Sequence, residues 1–190
     1  MEDIQLIKRV KEGDQNAIRL LIENSKNIIW HIIISLVGRD SNSEDLFQES
    51  CLQVFKNLKY FRGEARLTTW IGSVTHNVCV DYLRKKKTTR SVLEQQPEKL
   101  LTPQISDKSW KQPEKEDLKK LVLEYISNLP LAYRLVITLY HLDERSYREI
   151  SGITGMPDGT VKSYIKRGRE LLREVLLHNV PDIVEILDDF

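Results

Sequence analysis

Apolar residues recur at helical spacing through residues 1–90. The pattern predicts an amphipathic helix that contains Ile4, a second helix that contains Ala17, and a nearly continuous apolar stretch over residues 28–37. A helix this rich in apolar residues is expected to be buried on most sides. The first half of the chain is therefore predicted to form one helical unit.

Two more helices are predicted in this unit. Ser43 can cap the first of them through its side-chain oxygen, and apolar residues recur along one face behind it. A loop over residues 60–69 leads to the second, which starts at Trp70 and runs into the basic cluster of residues 84–87.

The middle of the chain has a different character. Residues 91–115 are polar, contain three prolines and show little periodicity, which is typical of a flexible linker. Helical periodicity returns in residues 116–178, and no segment alternates convincingly as a strand does. The predicted fold class is therefore all-α, with two small helical domains, residues 1–90 and 116–190, joined by the flexible linker. Such a tether lets two modules engage separate sites on one large target.

The most informative local pattern lies in residues 146–173. Ser146 and Glu149 are spaced as a capping box, Gly155 can end that helix with a positive φ, and a second, basic helix follows. Many proteins bind the major groove of DNA with such a unit, which consists of a short helix, a tight turn and a second helix with basic and hydroxyl side chains. A basic helical hairpin that only faces solvent is the alternative. The residues predicted to contact duplex DNA are Thr160, Lys162, Ser163, Lys166, Arg167 and Arg169.

Composition narrows the classes of function. The formal net charge is +1, so a nucleic-acid binder of this kind must concentrate its positive charge locally. The sequence contains no carboxylate cluster suited to metal ions, no glycine-rich phosphate loop and no nucleophile paired with a base. We therefore expect no enzyme activity, no metal and no cofactor. Cys51 and Cys79 fall in apolar helical patterns and are predicted to be reduced core thiols.

The hydropathy profile also bears on location. The longest apolar run is far shorter than the ~20 residues that a membrane-spanning helix needs. No signal peptide is visible at the acidic N-terminus. We therefore expect a cytoplasmic protein without membrane insertion.

The helix after Ser43 has a second, polar face. A solvated surface is the default interpretation of such a face. Its acidic and amide side chains contrast with the basic helix that follows, however, which suggests a partner with a basic protein surface. The residues of this face are Asp45, Gln48, Glu49 and Lys56.

Aromatic and basic residues are interleaved in the loop before Trp70 and along the helix after it. Aromatic platforms beside cations suit single-stranded nucleic acid. A place in the core is at least as good an interpretation for each ring alone, and Asn77 could make a structural hydrogen bond. The residues predicted to contact unpaired bases or their phosphates are Phe61, Arg62, Arg66, Trp70, Asn77, Asp81 and Arg84.

Two long segments, in this order, carry a family resemblance. Residues 43–87, SEDLFQESCLQVFKNLKYFRGEARLTTWIGSVTHNVCVDYLRKKK, resemble conserved region 2 of the extracytoplasmic-function (group IV) sigma factors of bacterial RNA polymerase. Residues 129–174, LPLAYRLVITLYHLDERSYREISGITGMPDGTVKSYIKRGRELLRE, resemble region 4 of the same family. Two ordered matches joined by a poorly patterned linker are more specific than a lone helix-turn-helix.

The resemblance implies a function and partners. Members of the family bind core RNA polymerase, through the β′ clamp helices and the β flap, and direct it to promoters. The face of Asp45, Gln48 and Glu49 would dock on the clamp helices. The loop and helix around Trp70 would melt and read the −10 element as single-stranded DNA, with one base extruded into a pocket. The basic helix would read the −35 element as duplex.

The resemblance also implies control by an anti-sigma factor, and a compact packing of the two domains would explain why free sigma factors of this kind bind promoters poorly. A conventional helix-turn-helix regulator, acting without polymerase, is the alternative function. The sequence departs from the family at Tyr140, where an arginine that often contacts the −35 backbone is common. It also departs at Gly152, in a helical pair that is usually rich in Ala and Glu and where glycine should weaken the helix by ~1 kcal/mol. The −35 sequence therefore cannot be taken from a relative.

Overall fold

The structure is a computed structural model that describes residues 2–39, 41–86 and 115–179. Regular structure within these ranges is helical, which confirms the all-α fold class. Most of the predicted linker, and residues 180–190, lie outside the described residues, so the domain boundaries stay a prediction. The α-helices are α1 (Glu2–Lys11), α2 (Gln15–Leu36), α3 (Ser43–Asn57), α4 (Leu67–Lys85), α5 (Lys115–Asn128), α6 (Leu131–Ile137), α7 (Tyr147–Thr154) and α8 (Asp158–Asn179).

The start of α3 differs from the expectation. Ser43 is the first helical residue instead of the cap, and Asn42 occupies the N-cap position. The Ser43 hydroxyl is buried and donates a hydrogen bond to the carbonyl of Gly38 at 2.9 Å. A buried hydroxyl must find a partner, and here the nearest one belongs to the preceding turn and not to α3.

One apolar core runs through both halves of the chain. α2 lies at its centre and packs against α1, α3, α4 and α6. Its Ile32 and Ile33 are fully buried, and the same cluster includes Ile150 and Ile153 of α7. Leu20, which the periodicity of α2 places with the apolar residues, is instead 47% exposed. The N-terminal group (α1–α4) and the C-terminal group (α5–α8) therefore pack directly against each other.

Small residues allow this close packing. A Cβ at Gly72 of α4 would lie 3.0 Å from Cγ1 of Ile153 on α7, and a Cβ at Gly152 of α7 would lie 3.4 Å from the methyl group of Thr69 on α4. Gly152, which costs helix stability, also lies where α7 faces α4, although the closer approach is the one at Gly72. A Cβ at that distance from Thr69 makes an ordinary van der Waals contact, so alanine fits at position 152, whereas a longer side chain meets Thr69.

Polar contacts also link the two groups. Nδ1 of His31 on α2 lies 2.9 Å from a carboxylate oxygen of Asp143, which follows the π-helical turn Thr138–Leu142. Arg134 of α6 donates from Nε to the carbonyl oxygen of Ser35 at 2.5 Å, and burial lowers its pKa. The π turn was not expected, because periodicity predicts an ordinary helix there. The Asp143 amide donates to the carbonyl of Thr138, five residues earlier, at 3.2 Å, as in a π-helix. This turn places Asp143 beside α2.

Both cysteines are free thiols. Burial raises the pKa of Cys79 to about 12, so this thiol stays protonated and unreactive at neutral pH. Cys51 is half-buried and its pKa is also raised by burial. No helix among the residues searched is long and apolar enough to cross a membrane. The same residues contain no group of three or more potential metal ligands.

Candidate nucleic-acid interface

The predicted capping box of α7 is present. The Ser146 hydroxyl accepts from the Glu149 amide at 3.3 Å, and a Glu149 carboxylate oxygen accepts from the Ser146 amide at 3.0 Å. Gly155 ends α7 in the left-handed region with φ 72°, as predicted, and its amide bonds the Ser151 carbonyl at 2.8 Å. These contacts fix the turn that leads into α8.

Helix α8 presents its basic residues to solvent. Val161, Ile165 and Leu172 face the core, as the spacing predicts. On the opposite side, all the predicted DNA contacts except Thr160 are exposed, and Thr160 is half-buried. Lys166 lies 3.9 Å from Glu170, an exposed pair of little energetic weight. The exposed residues of this surface are Lys162, Ser163, Lys166, Arg167 and Arg169.

Tyr140 does not reproduce the role that arginine has in the family. It is half-buried, and its ring stacks on that of Tyr147, with the centroids 5.3 Å apart and the planes 23° from parallel. The hydroxyls of the two tyrosines are also hydrogen-bonded, which is the main reason that the pKa of Tyr147 is raised. The stacked rings therefore hold Tyr147, the first residue of α7, against Tyr140.

The second surface is a groove of about 680 Å³ in the N-terminal group. It joins the predicted −10 residues Trp70, Asn77 and Asp81 to Glu49, which had been predicted only as a polymerase contact. Trp70 is half-buried, whereas Asn77 and Asp81 are exposed. The groove is lined by Leu46, Glu49, Gln53, Asn57, Tyr60, Trp70, Ser73, Val74, Asn77, Val78, Asp81, Tyr82 and Lys85.

The groove wall along α4 carries amide, hydroxyl and aromatic groups. Ser73 donates to the Trp70 carbonyl at 2.7 Å, and its oxygen can still accept a hydrogen bond. Burial lowers the pKa of the neighbouring His76, against a smaller opposing effect of its hydrogen bond with Asn77, so this histidine is neutral at pH 7. The described lining of the groove combines these groups with two carboxylates, Glu49 and Asp81, against one cation, Lys85, so it suits base edges better than phosphates.

Of the other predicted −10 residues, three lie in the loop before α4 and one, Arg84, lies near the end of α4. Phe61 is half-buried and contacts Trp70 edge-to-face, with ring centroids 5.6 Å apart. Arg62 is exposed. Arg66 is exposed too, but its guanidinium lies 3.7 Å from the Glu149 carboxylate of the C-terminal group. Arg84 lies outside the groove lining and 3.5 Å from Asp81.

Glu149 therefore takes part both in the capping box of α7 and in the contact between α7 and α4. It closes the capping box of α7, and it also accepts from the Thr69 hydroxyl on α4 at 3.4 Å. Its partial burial opposes ionisation, but hydrogen bonds from Ser146 and the charges of Arg145 and Arg66 outweigh that effect and hold its pKa below the ordinary value. The carboxylate is thus ionised where the two groups meet.

The polar face of α3 is present and contains one residue that the sequence analysis missed. Asp45, Gln48 and Lys56 are exposed, and Glu49 is half-buried with an acceptor bond from Gln53 at 2.7 Å. Leu52 lies among them and is 52% exposed. The signal for Leu52 was available, since its helical position falls opposite the buried stripe of α3. Tyr60, which is 64% exposed in the groove, lies at the start of the predicted aromatic loop but is absent from the predicted −10 contacts.

Comparison with known proteins agrees with this arrangement. The family model described as Sigma-70 region 2 matches residues 21–89, and the model described as Sigma-70, region 4 matches residues 119–172. Both matches fall on the helices that carry the two surfaces.

Full-length relatives extend the match. The ECF RNA polymerase sigma factor SigW of Bacillus subtilis is 31% identical over 185 residues, which cover 90% of this chain and 94% of the relative. The ECF RNA polymerase sigma-E factor of Escherichia coli K12 is 32% identical over 181 residues, with 90% and 93% covered.

Solved structures share the fold. CnrH, solved in complex with the cytosolic domain of CnrY, gives a TM-score of 0.62 at 17% identity and covers 90% of this chain and 94% of its own. The sigma factor RpoE, solved with the anti-sigma factor NepR from Bartonella quintana, gives 0.56 at 24% identity, with 87% and 97% covered. Together with the sequence matches across nine-tenths of its length, these findings show that the chain belongs to the extracytoplasmic-function family of bacterial RNA polymerase sigma factors.

Proposed function

We propose that this sigma factor binds core RNA polymerase through α3, holds unpaired −10 bases in the groove between α3 and α4, and reads the −35 duplex with α8. The observation that carries the proposal is the presence of three chemically distinct surfaces on one chain. They are an acidic face with an apolar centre, an aromatic and amide groove, and a basic recognition helix. The polymerase supplies the chemistry, and the chain acts in the cytoplasm without being an enzyme itself.

The −35 surface is argued from exposure and helix position. Lys162, Ser163 and Lys166 lie in the N-terminal half of α8, the part of a recognition helix that contacts base edges. Positive charge also attracts the phosphates on either side of the groove. Because Tyr140 is stacked on Tyr147, the backbone contact that arginine makes in relatives has to come from another side chain.

The −10 surface is argued from the groove. An extruded base needs a ring to stack on and polar groups for its edge, and unstacking costs a few kcal/mol that these contacts must offset. Trp70 and Tyr60 offer rings, and Asn77 and Asp81 offer polar edges, within one lining. A conventional operator-binding regulator needs no groove for an extruded base. The sigma-factor relatives also match the N-terminal group as well as the helix-turn-helix.

The polymerase surface is argued from α3. Leu52 lies at the middle of the face and is surrounded by Asp45, Gln48, Glu49 and Lys56. An apolar centre with a polar rim is the usual organisation of a protein interface. The acidic rim suits a basic partner surface, as the β′ clamp helices would provide in this proposal.

The proposal is tested by transcription in vitro with bacterial core polymerase over a pool of promoter fragments. The chain should start transcription at a distinct subset of the fragments. The triple substitution Asp45→Ala, Gln48→Ala and Glu49→Ala should reduce this transcription at least about tenfold, because three polar side chains of the rim are lost together. The same subset reveals the −35 and −10 sequences.

A matched control replaces an equally polar, exposed set on α2, namely Glu23, Asn24 and Asn27, with alanine. This variant should transcribe as the parent does. Specific duplex binding by the chain alone, with no dependence on polymerase, would contradict the proposal and favour the conventional regulator.

We also propose an anti-sigma factor as a partner, and a closed arrangement of the free protein. The RpoE relative was solved with its anti-sigma factor NepR. In this chain the contact between α4 and α7 places Glu149 against Arg66, a residue proposed for −10 DNA. While the two groups stay packed, the carboxylate competes with a phosphate for that guanidinium.

Opening of this arrangement can be forced at Gly152. A leucine there should favour the helical state of α7 by about 1 kcal/mol, yet its side chain meets Thr69 across the contact. We therefore expect Gly152→Leu to increase the radius of gyration of the free protein in small-angle scattering while helix content is kept. Gly159→Leu is the control, since nothing lies within 4 Å of a Cβ there. Identical scattering from a folded Gly152→Leu protein would rule out a closed state held by this crossing.

A further inference from the structure

The N-terminal helix reaches the start of α4. A carboxylate oxygen of Asp3 accepts a hydrogen bond from the Leu67 amide at 3.1 Å, although 64 residues separate them. Leu67 is the first residue of α4, and Arg66 at the N-cap position makes no side-chain cap hydrogen bond. The first amides of a helix have no partner within it, so Asp3 provides from α1 the cap that the local sequence lacks.

A second contact holds the other side of the same loop. Cδ1 of Ile4 lies 3.7 Å from the point that a Cβ of Gly63 would occupy, and Gly63 has φ +76°. Ile4 remains 62% exposed and so contributes little to the core. Two successive residues of α1 thus contact the loop at Gly63 and at its junction with α4.

This loop is the one proposed to open the −10 element. It carries Phe61, Arg62 and Arg66, and Phe61 contacts Trp70 at the edge of the groove. Unlike the Glu149 contacts, those from Asp3 and Ile4 lie wholly within the N-terminal group, so they persist when α7 leaves α4. We propose that Asp3, with Ile4, is a positioning residue that keeps the −10 loop in its base-binding conformation after the two groups separate.

The inference rests on the proposed function of the loop. Its test includes one measurement, hydrogen exchange at Leu67, that does not depend on that function. Loss of a cap has a modest energy, so in Asp3→Ala the Leu67 amide should exchange its hydrogen about fivefold faster in the full-length protein. Asp3→Asn keeps an acceptor oxygen and should restore most of the protection. Unchanged exchange at Leu67 in Asp3→Ala would overturn the inference whatever the protein does at promoters.

The functional readout is the opening of a promoter by the holoenzyme, followed by permanganate reactivity of −10 thymines. We expect Asp3→Ala to slow opening about fivefold, with core-polymerase affinity and −35 duplex binding within twofold of the parent, and Asp3→Asn to recover most of the rate. Glu12→Ala, which removes the same charge from the exposed residue that follows α1, is the control and should open promoters as the parent does.

The outcomes are distinguishable. Faster Leu67 exchange with normal opening would show a merely structural cap and overturn the positioning role. Failure of the parent protein to open any promoter with core polymerase would instead overturn the proposed function, and the exchange result would still report on the contact itself.

Discussion

Replacing Gly168 with valine should lower the free energy of unfolding by about 2–3 kcal/mol. A Cβ at this position of α8 would lie 2.7 Å from Cγ1 and 3.1 Å from Cδ1 of Ile137 on α6. Ile137 and the nearby Tyr133 are fully buried, so neither can move aside without disturbing the packing around it. Gly168 is therefore a contact point between α6 and α8, and its small size is what allows them to approach.

The measurement is urea denaturation followed by circular dichroism. Gly159→Val is the matched control in the same helix, because that position is exposed and nothing lies within 4 Å of a Cβ there. It should change stability by less than about 0.5 kcal/mol. Equal midpoints for Gly168→Val and the parent would show that α6 and α8 do not approach as closely as described.

Replacing Asn77 with alanine should reduce −10-dependent promoter opening roughly 5- to 150-fold, the range that corresponds to about 1–3 kcal/mol for a lost base contact. Asn77 is exposed and lies in the groove between Trp70 and Asp81 along α4, where its side chain also hydrogen-bonds the neighbouring His76. Alanine is also the better helix former, so a loss of activity cannot be attributed to unfolding of α4.

The effect should be measured on a duplex promoter and on a fragment whose −10 segment is already unpaired. Binding of both should weaken, since the contact is to the base itself, while affinity for core polymerase stays unchanged. Asn27→Ala, at an exposed position in the middle of α2, controls for the chemistry of the substitution. Parental opening by Asn77→Ala would remove this residue from the proposed −10 surface.

The parts of the structure that the sequence predicted are those that depend on neighbours in the chain. The capping box of Ser146 and Glu149 needs only a three-residue spacing, and the positive φ of Gly155 needs only the end of a helix. The same holds for the polar side of α4, where helical periodicity placed Trp70 and Asn77 on one groove wall.

What could not be predicted depends on how the helices pack. Ser43 was expected to cap α3 because the local pattern permits it, but burial against Gly38 decided its hydrogen bond. The cap from Asp3 on Leu67 has no local signal at all, because its partners are far apart in the sequence. The position of Glu49 in the groove likewise follows from the distance between α3 and α4, which periodicity does not encode.

The close crossing of α4 and α7 also bears on how such proteins can be recombined. Exchanging the C-terminal group for that of a relative, in order to redirect the protein to new promoters, would join the two sequences within the predicted linker. The exchange would also change the packing between α4 and α7, where Gly72 accommodates Ile153 and Gly152 accommodates Thr69. We expect a graft that brings a larger residue to position 152 to disturb this crossing, whatever promoter preference it carries. The two glycines and their partners should therefore be transferred, or kept, as a set.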